Sequence, residues 1–117
     1  MTLKVPPYSL EAEQSVIWSI LIDKDCLISI WDLLQSSDFY TASNTTIYEV
    51  IFELYKLNKP IDLITVKEQL DNKKLLDKVG WITYLTELTE IVPTTSNVLE
   101  YANIVKNKSV LRNLVKA

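Results

Sequence analysis

The sequence predicts an all-α domain, on three observations. Period-2 alternation of apolar and polar residues is absent, whereas apolar residues recur at i, i+3, i+4 and i+7. Helix-start residues stand just ahead of these stripes. The length of 117 residues suits one domain, large enough to bury roughly two thirds of its unfolded surface without disulfide staples.

Taken in order, Pro6 and Pro7 hold the entering chain extended. Ser9 then stands as N-cap of a first helix, Leu10–Ile22. Ala12, Val16 and Ile20 form one stripe, widened by Ile17 and Leu21. Glu11 and Glu13 place negative charge at the positive end of the helix dipole. Asp23-Lys24-Asp25 breaks the pattern and starts a second helix, with Leu27, Ile30, Trp31 and Leu34 as its narrow core stripe. Ser36-Ser37-Asp38 reads as a loop carrying Phe39 and Tyr40.

The third helix has Ser43 as its expected cap. Ile47, Val50, Ile51, Leu54 and Tyr55 face inward and Glu49, Glu53 and Lys56 outward. Asn58-Lys59-Pro60 ends it. Thr65 and Glu68 have capping-box spacing and are expected to open a fourth helix over residues 65–73, with Val66 and Leu70 inward. Residues 75–79 make a short turn, and Gly80 is a left-handed C′ residue. A helix over residues 81–91 follows, with Ile82, Leu85 and Leu88 on one face. Val92-Pro93-Thr94-Thr95 is a connector.

The last helix starts near Ser96 or Asn97, with Asn97 and Glu100 as a capping pair. Val98, Tyr101, Ala102 and Val105 form its inner face, and Ile104, Leu111, Leu114 and Val115 continue an apolar stripe. The pattern still runs at Lys116-Ala117 with no stop signal. It reads as a chain cut from something longer, in which Leu111, Leu114 and Val115 meet a partner helix.

Composition excludes several functions. A single glycine, Gly80, leaves no Walker loop or dinucleotide fingerprint. No histidine and one cysteine leave almost no zinc ligands and no Ser-His or Cys-His pair. Cys26 cannot form an internal disulfide, which points to a reducing compartment. It lies beside a helix N-terminus, a place that lowers thiol pKa, but a small semi-buried thiol without function is the plainer reading. The acidic pairs Glu11/Glu13 and Asp23/Asp25 sit at helix starts and read as dipole compensation rather than acid–base catalysis. Trp18, Trp31 and Trp81 read as packing residues, one of them available to an interface. No apolar run reaches the ~18 residues of a membrane span, and the first residues lack a secretory core.

The net charge of −3 is uneven. Lys106, Lys108, Arg112 and Lys116 face only Glu100 in residues 96–117, so this segment carries +3 and the rest −6. The acidic head does not attract a phosphate backbone. The basic tail supports a DNA-binding alternative, against the plainer reading that late cations suit a helix dipole.

The run Val-Pro-Pro-Tyr-Ser-Leu-Glu-Ala-Glu-Gln-Ser-Val at residues 5–16 resembles the opening of bacterial replicative DNA helicases, the DnaB family. The likeness continues in order: Asp38-Phe39-Tyr40, Ile47-Tyr48-Glu49, Lys59-Pro60-Ile61-Asp62-Leu63-Ile64-Thr65, then Val79-Gly80 with Tyr84-Leu85, Leu88, Val92-Pro93 and Asn97. Tyr101-Ala102, Ile104-Val105 and Leu111-Arg112 close it. It covers residues 4–115 without a gap.

The resemblance implies the family's N-terminal domain: an extended arm at residues 1–8, a head of about six helices at 9–95, and at 96–117 the start of a dimerising helical hairpin. The motor domain that binds ATP and magnesium lies beyond this segment, so no cofactor and no catalysis are expected in it. The resemblance also implies a collar built as a trimer of dimers, which docks the C-terminal domain of primase. A helicase loader is a further partner it allows. Location in the cytoplasm, or in an organelle stroma if plastid-encoded, follows. The AT-rich residue usage suits a plastid or reduced bacterial genome.

The family's primase-responsive positions match Glu11 and Tyr84. Their plainer roles are a dipole residue and a core-edge aromatic. Leu111, Leu114, Val115 and Trp18 are the expected oligomer contacts, whereas Phe39, Tyr40 and Asp62 read as structural. Trp18 and Trp81 depart from the family by standing where small residues are usual, so each must point outward or refill a gap. A free-standing helical adaptor and a DNA-binding head are the alternatives to the collar domain.

Overall fold

The first helix of the computed structural model, α1 (Leu10–Ile22), has nine of its thirteen residues buried, and the other elements assemble around it. The structure describes residues 5–91 and 94–116. Among these are seven α-helices and no strand. They are α1, α2 (Asp25–Ile30), α3 (Ala42–Lys56), α4 (Leu63–Asn72), α5 (Leu76–Val79), α6 (Trp81–Thr89) and α7 (Val98–Lys116). α1 packs on α7, α3 and α2, and α3 in turn on α4 and α5. The all-α expectation holds, with α7 as the long final helix.

The predicted start of α1 is present: Ser9 is extended and its Oγ accepts the Ala12 N–H at 3.2 Å. Val16, Ile17 and Ile20 are fully buried, together with Leu27, Ile30, Leu34, Ile47, Ile51, Leu70 and Leu88. Val98, Ala102 and Val105 seat the first half of α7 on this core. Residues 98–109 therefore share one core with the head. Of the predicted arm, residues 1–4 lie outside the described residues, as do the connector residues Val92 and Pro93. Ala117 and the Val115 side chain do too.

Several local expectations are corrected. Trp31 and Tyr55, assigned to core stripes, are 55% and 52% exposed. α2 is only six residues long, so Trp31 at its C-cap has left the buried face. The capping box of α4 is Asp62–Thr65, three residues ahead of the expected Thr65–Glu68. Asp62 Oδ1 accepts the Thr65 N–H at 2.9 Å, and Thr65 Oγ1 accepts the Asp62 N–H at 2.9 Å.

α3 starts after Thr41, not Ser43. Ser43 is inside the helix and donates to the Val79 carbonyl at 2.9 Å, tying α3 to α5. α7 is entered through a 3-10 turn, with the Asn97 N–H on the Thr94 carbonyl at 2.9 Å, rather than through an Asn97–Glu100 cap.

The inner face of α6 is Trp81, Tyr84 and Leu88, and Ile82 is 81% exposed. Gly80 sets this phase. It closes α5 and opens α6 in the left-handed region, φ 69°. A Cβ there would meet no atom within 4 Å, so glycine is needed for its conformation and not for space. Trp81 points inward, 6% exposed, with its ring parallel to Tyr84 at 6.3 Å. Trp18 is partly buried against the core.

Candidate partner-docking surface

Two buried carboxylates fasten the surface, and neither role was visible in the sequence. Glu13, expected to compensate the α1 dipole, is 1% exposed. Its carboxylate accepts the Tyr40 N–H at 2.7 Å, the Thr41 N–H at 3.2 Å and the Asn44 amide at 3.0 Å. Asn44 Oδ1 in turn accepts the Tyr84 hydroxyl at 2.5 Å. A chain of hydrogen bonds thus runs from α1 through the entry of α3 to α6. Burial pushes the Tyr84 phenol well above its usual range, with the negative charges of Glu13 and Glu87 adding to the shift. The hydroxyl stays a donor at neutral pH.

Asp38 fastens α7. Its carboxylate accepts Gln35 N–H at 2.8 Å and Ser109 Oγ at 2.7 Å, and it pairs with Lys106 at 3.2 Å. Arg112 donates to the Asp38 carbonyl at 2.6 Å and to the Pro7 carbonyl at 2.9 Å. It also lies over the Tyr40 ring, which stacks on Tyr8 at 4.5 Å. Phe39 packs on Tyr48 at 4.8 Å. The Asp38-Phe39-Tyr40 run is therefore a three-way fastener, in which Phe39 and Tyr40 were expected to be structural and the Asp38 carboxylate was not. Two of the cations on which a DNA-binding tail depends, Lys106 and Arg112, are half-buried and engaged by groups of the fold itself.

Between α1 and α6 lie two adjoining grooves. One, of about 720 Å³, has Tyr8, Tyr40, Gly80 and Tyr84 among its lining. The other, of about 550 Å³, is lined by Glu11, Ser15, Glu90, Ile91 and Tyr101. Leu10, Gln14 and Glu87 belong to both. The two predicted docking positions thus sit on one continuous face. They do so differently: Glu11 is exposed, whereas Tyr84 is 3% exposed and shapes the groove wall. Gln14, which the sequence reading passed over, is 4% exposed.

The predicted assembly residues Leu111 and Leu114 are 46% and 66% exposed on α7, with Ile104 and Val110 beside them in the sequence of that helix. The Val115 side chain lies outside what the structure describes. A second apolar surface was missed: Ile28, Trp31 and Tyr55 rim a cavity of about 260 Å³ with Leu27, Phe52 and Lys56. The misassigned stripe positions of α2 and α3 were its only signal.

Cys26 is buried, and its thiol lies 3.7 Å from the Thr95 carbonyl. Burial, then Asp23 and Asp25, push the thiol up, against the lowering expected of a helix N-terminus. Among the described residues no cluster of three His, Cys, Asp or Glu can hold a metal. Among the described residues no helix is long and apolar enough to cross a membrane.

A family model described as the DnaB-like helicase N-terminal domain matches residues 5–107. The chain is 38% identical over 113 residues to the replicative DNA helicase DnaB of Geobacillus stearothermophilus, covering 97% of this chain and 25% of that protein. It is 45% identical over 111 residues to that of Pasteurella multocida, covering 95% and 24%. The crystal structure of the N-terminal domain of DnaB helicase from Mycobacterium tuberculosis superposes with a TM-score of 0.90 at 39% identity, covering 96% of this chain and 81% of that one. The chain spans about a quarter of the length of these curated relatives.

Proposed function

The chain belongs to the DnaB-like helicase N-terminal domain family, and from that premise we propose that it is a non-enzymatic assembly and docking domain of a replicative DNA helicase. ATP-driven unwinding belongs to a motor domain elsewhere in such a parent. This segment contributes geometry: subunit association, and a surface that receives the C-terminal domain of primase. The observation that carries the docking role is the meeting of Glu11 and Tyr84 on the α1–α6 face.

In this reading the two residues have unequal parts, which their different exposure supports. Glu11, which is exposed, would touch the partner directly. Tyr84, bonded through Asn44 to Glu13, holds α6 in position against α1. Titration of labelled primase C-terminal domain tests this. Glu11→Ala is expected to weaken binding with no change in melting temperature. Tyr84→Phe is expected to weaken both affinity and stability, the latter by about 1 kcal/mol for the lost hydrogen bond. Unchanged affinity in both variants would remove the site assignment.

For assembly we infer that residues 96–117 begin a dimerising hairpin, with the exposed α7 leucines as its contact stripe. Leu114→Asp is expected to lower any concentration-dependent association seen by sedimentation. The DNA-binding alternative is weakened by the internal contacts of Lys106 and Arg112.

A further inference from the structure

Gln14 has no assigned role and an unusual situation. It lies on α1, 4% exposed, and lines both grooves of the α1–α6 face. Unlike Ser19 Oγ, its side-chain amide is not sealed from solvent but opens on the two grooves, and it has no protein hydrogen-bond partner among the described residues. Ser15 beside it, 7% exposed, lines the second groove and likewise has no side-chain partner among them. Buried polar side chains are normally paired within the fold. An unpartnered amide that opens into a groove marks a place for a polar group from outside.

The rim states the charge of that group. Glu11, Glu87 and Glu90 are exposed on the second groove. None is in either of the ion pairs among the described residues, which are Lys73–Glu53 and Lys106–Asp38. These carboxylates have no metal-holding arrangement, so an organic cation is the fitting counterpart. Leu10, Ile91 and Tyr101 supply apolar wall. A long aliphatic stem with a planar, weakly hydrated charged head suits such a slot better than a compact ammonium.

We propose that the α1–α6 groove seats an arginine-bearing segment of the docking partner, the guanidinium donating to the Gln14 side-chain oxygen between the carboxylates of Glu11, Glu87 and Glu90. This rests on the docking function proposed above and adds the chemistry of the partner's contact. Gln14 is then a specificity residue: its carbonyl oxygen adds a directed acceptor to a negative field that alone is directionless.

Two amphipathic peptides test it, identical except that every arginine in one is citrulline in the other. Binding is followed by NMR of the Gln14 side-chain amide in the intact chain. The arginine peptide is expected to shift that signal and to bind about tenfold or more tightly than the citrulline peptide. Its affinity is expected to fall between about 50 and 300 mM salt. Gln14→Leu should weaken it about tenfold. The paired Glu87→Gln, Glu90→Gln variant should abolish most of the salt dependence. Because both glutamates are exposed, this variant decides the matter if Gln14→Leu fails to fold.

Equal affinity for the two peptides, or shifts confined to other faces, would overturn the proposal. The same variants are then titrated with primase C-terminal domain. Primase that binds the parent chain and all variants equally sinks the arginine slot and leaves docking standing. Primase that does not bind, while the arginine peptide still seats at Gln14, sinks the docking reading alone.

Discussion

Ser19 and Glu13 lie six positions apart on α1, and their buried side chains have opposite fates. Glu13 is satisfied by two backbone amides and Asn44. Ser19 Oγ, fully buried, has no hydrogen-bond partner. An unsatisfied hydroxyl is a cost that removal relieves, and alanine is the better helix former. Ser19→Ala is therefore expected to be neutral to about 1 kcal/mol more stable in urea unfolding; a loss beyond about 1 kcal/mol would mean the hydroxyl has a partner. Neither fate was legible in the chain. Glu11 and Glu13 look alike as acids of a first helical turn. The amides that select Glu13 come from residues 27 and 28 positions away, and nothing local announces them.

At the scale of the element, helix existence was legible and helix phase was less so. α1 ends where Ser9 and Asp23 said it would, because its signals are local and unambiguous. α4 opens on an Asp62–Thr65 box in place of the expected Thr65–Glu68 one. Asp62→Ala is expected to cost about 1 kcal/mol, whereas Glu68→Ala stays within about 0.5 kcal/mol. Equal urea midpoints for the two would contradict the observed box. Of the face assigned to α6, Leu88 is buried and Leu85 packs on the core, and only Ile82 is misplaced. Ile82 outranks Trp81 and Tyr84 on hydrophobicity alone, but the left-handed turn at Gly80 orients the helix, and the aromatics have a partner in Asn44 and in each other. On the candidate docking face, Tyr84 was singled out only through the resemblance and read as a core-edge aromatic, whereas it is 3% exposed, and Gln14 drew no attention in a run of polar residues.

At the scale of the whole molecule, the core is built to hold phenols neutral. Tyr48 is fully buried with its hydroxyl on the Leu34 carbonyl at 2.9 Å, and burial raises its pKa, with Asp38 adding to it. Tyr84 is raised in the same way. Both folded values exceed the ordinary 10.0. Below that pH neither state loses a proton, and the stability the pair contributes is intact. Above it the unfolded phenols ionise while the folded ones do not, so unfolding releases protons and stability falls, by up to about 1.4 kcal/mol per pH unit for each tyrosine. Urea midpoints measured from pH 8 upward are expected to drop more steeply beyond about pH 10, and Tyr84→Phe should remove part of that slope. An identical slope in the variant would deny Tyr84 its share.

The hold of Arg112 on the Pro7 carbonyl spans 105 residues. Almost every other contact in this helical head can form before that one, because closing so large a loop carries the greatest chain-entropy cost and gains least from local structure. The bond belongs to the late, native side of the folding barrier. Replacing Arg112 with methionine should therefore leave the refolding rate in stopped-flow experiments nearly unchanged and raise the unfolding rate. The two ends of the described chain thus set how long the folded head lasts, while the helices between them set how fast it forms.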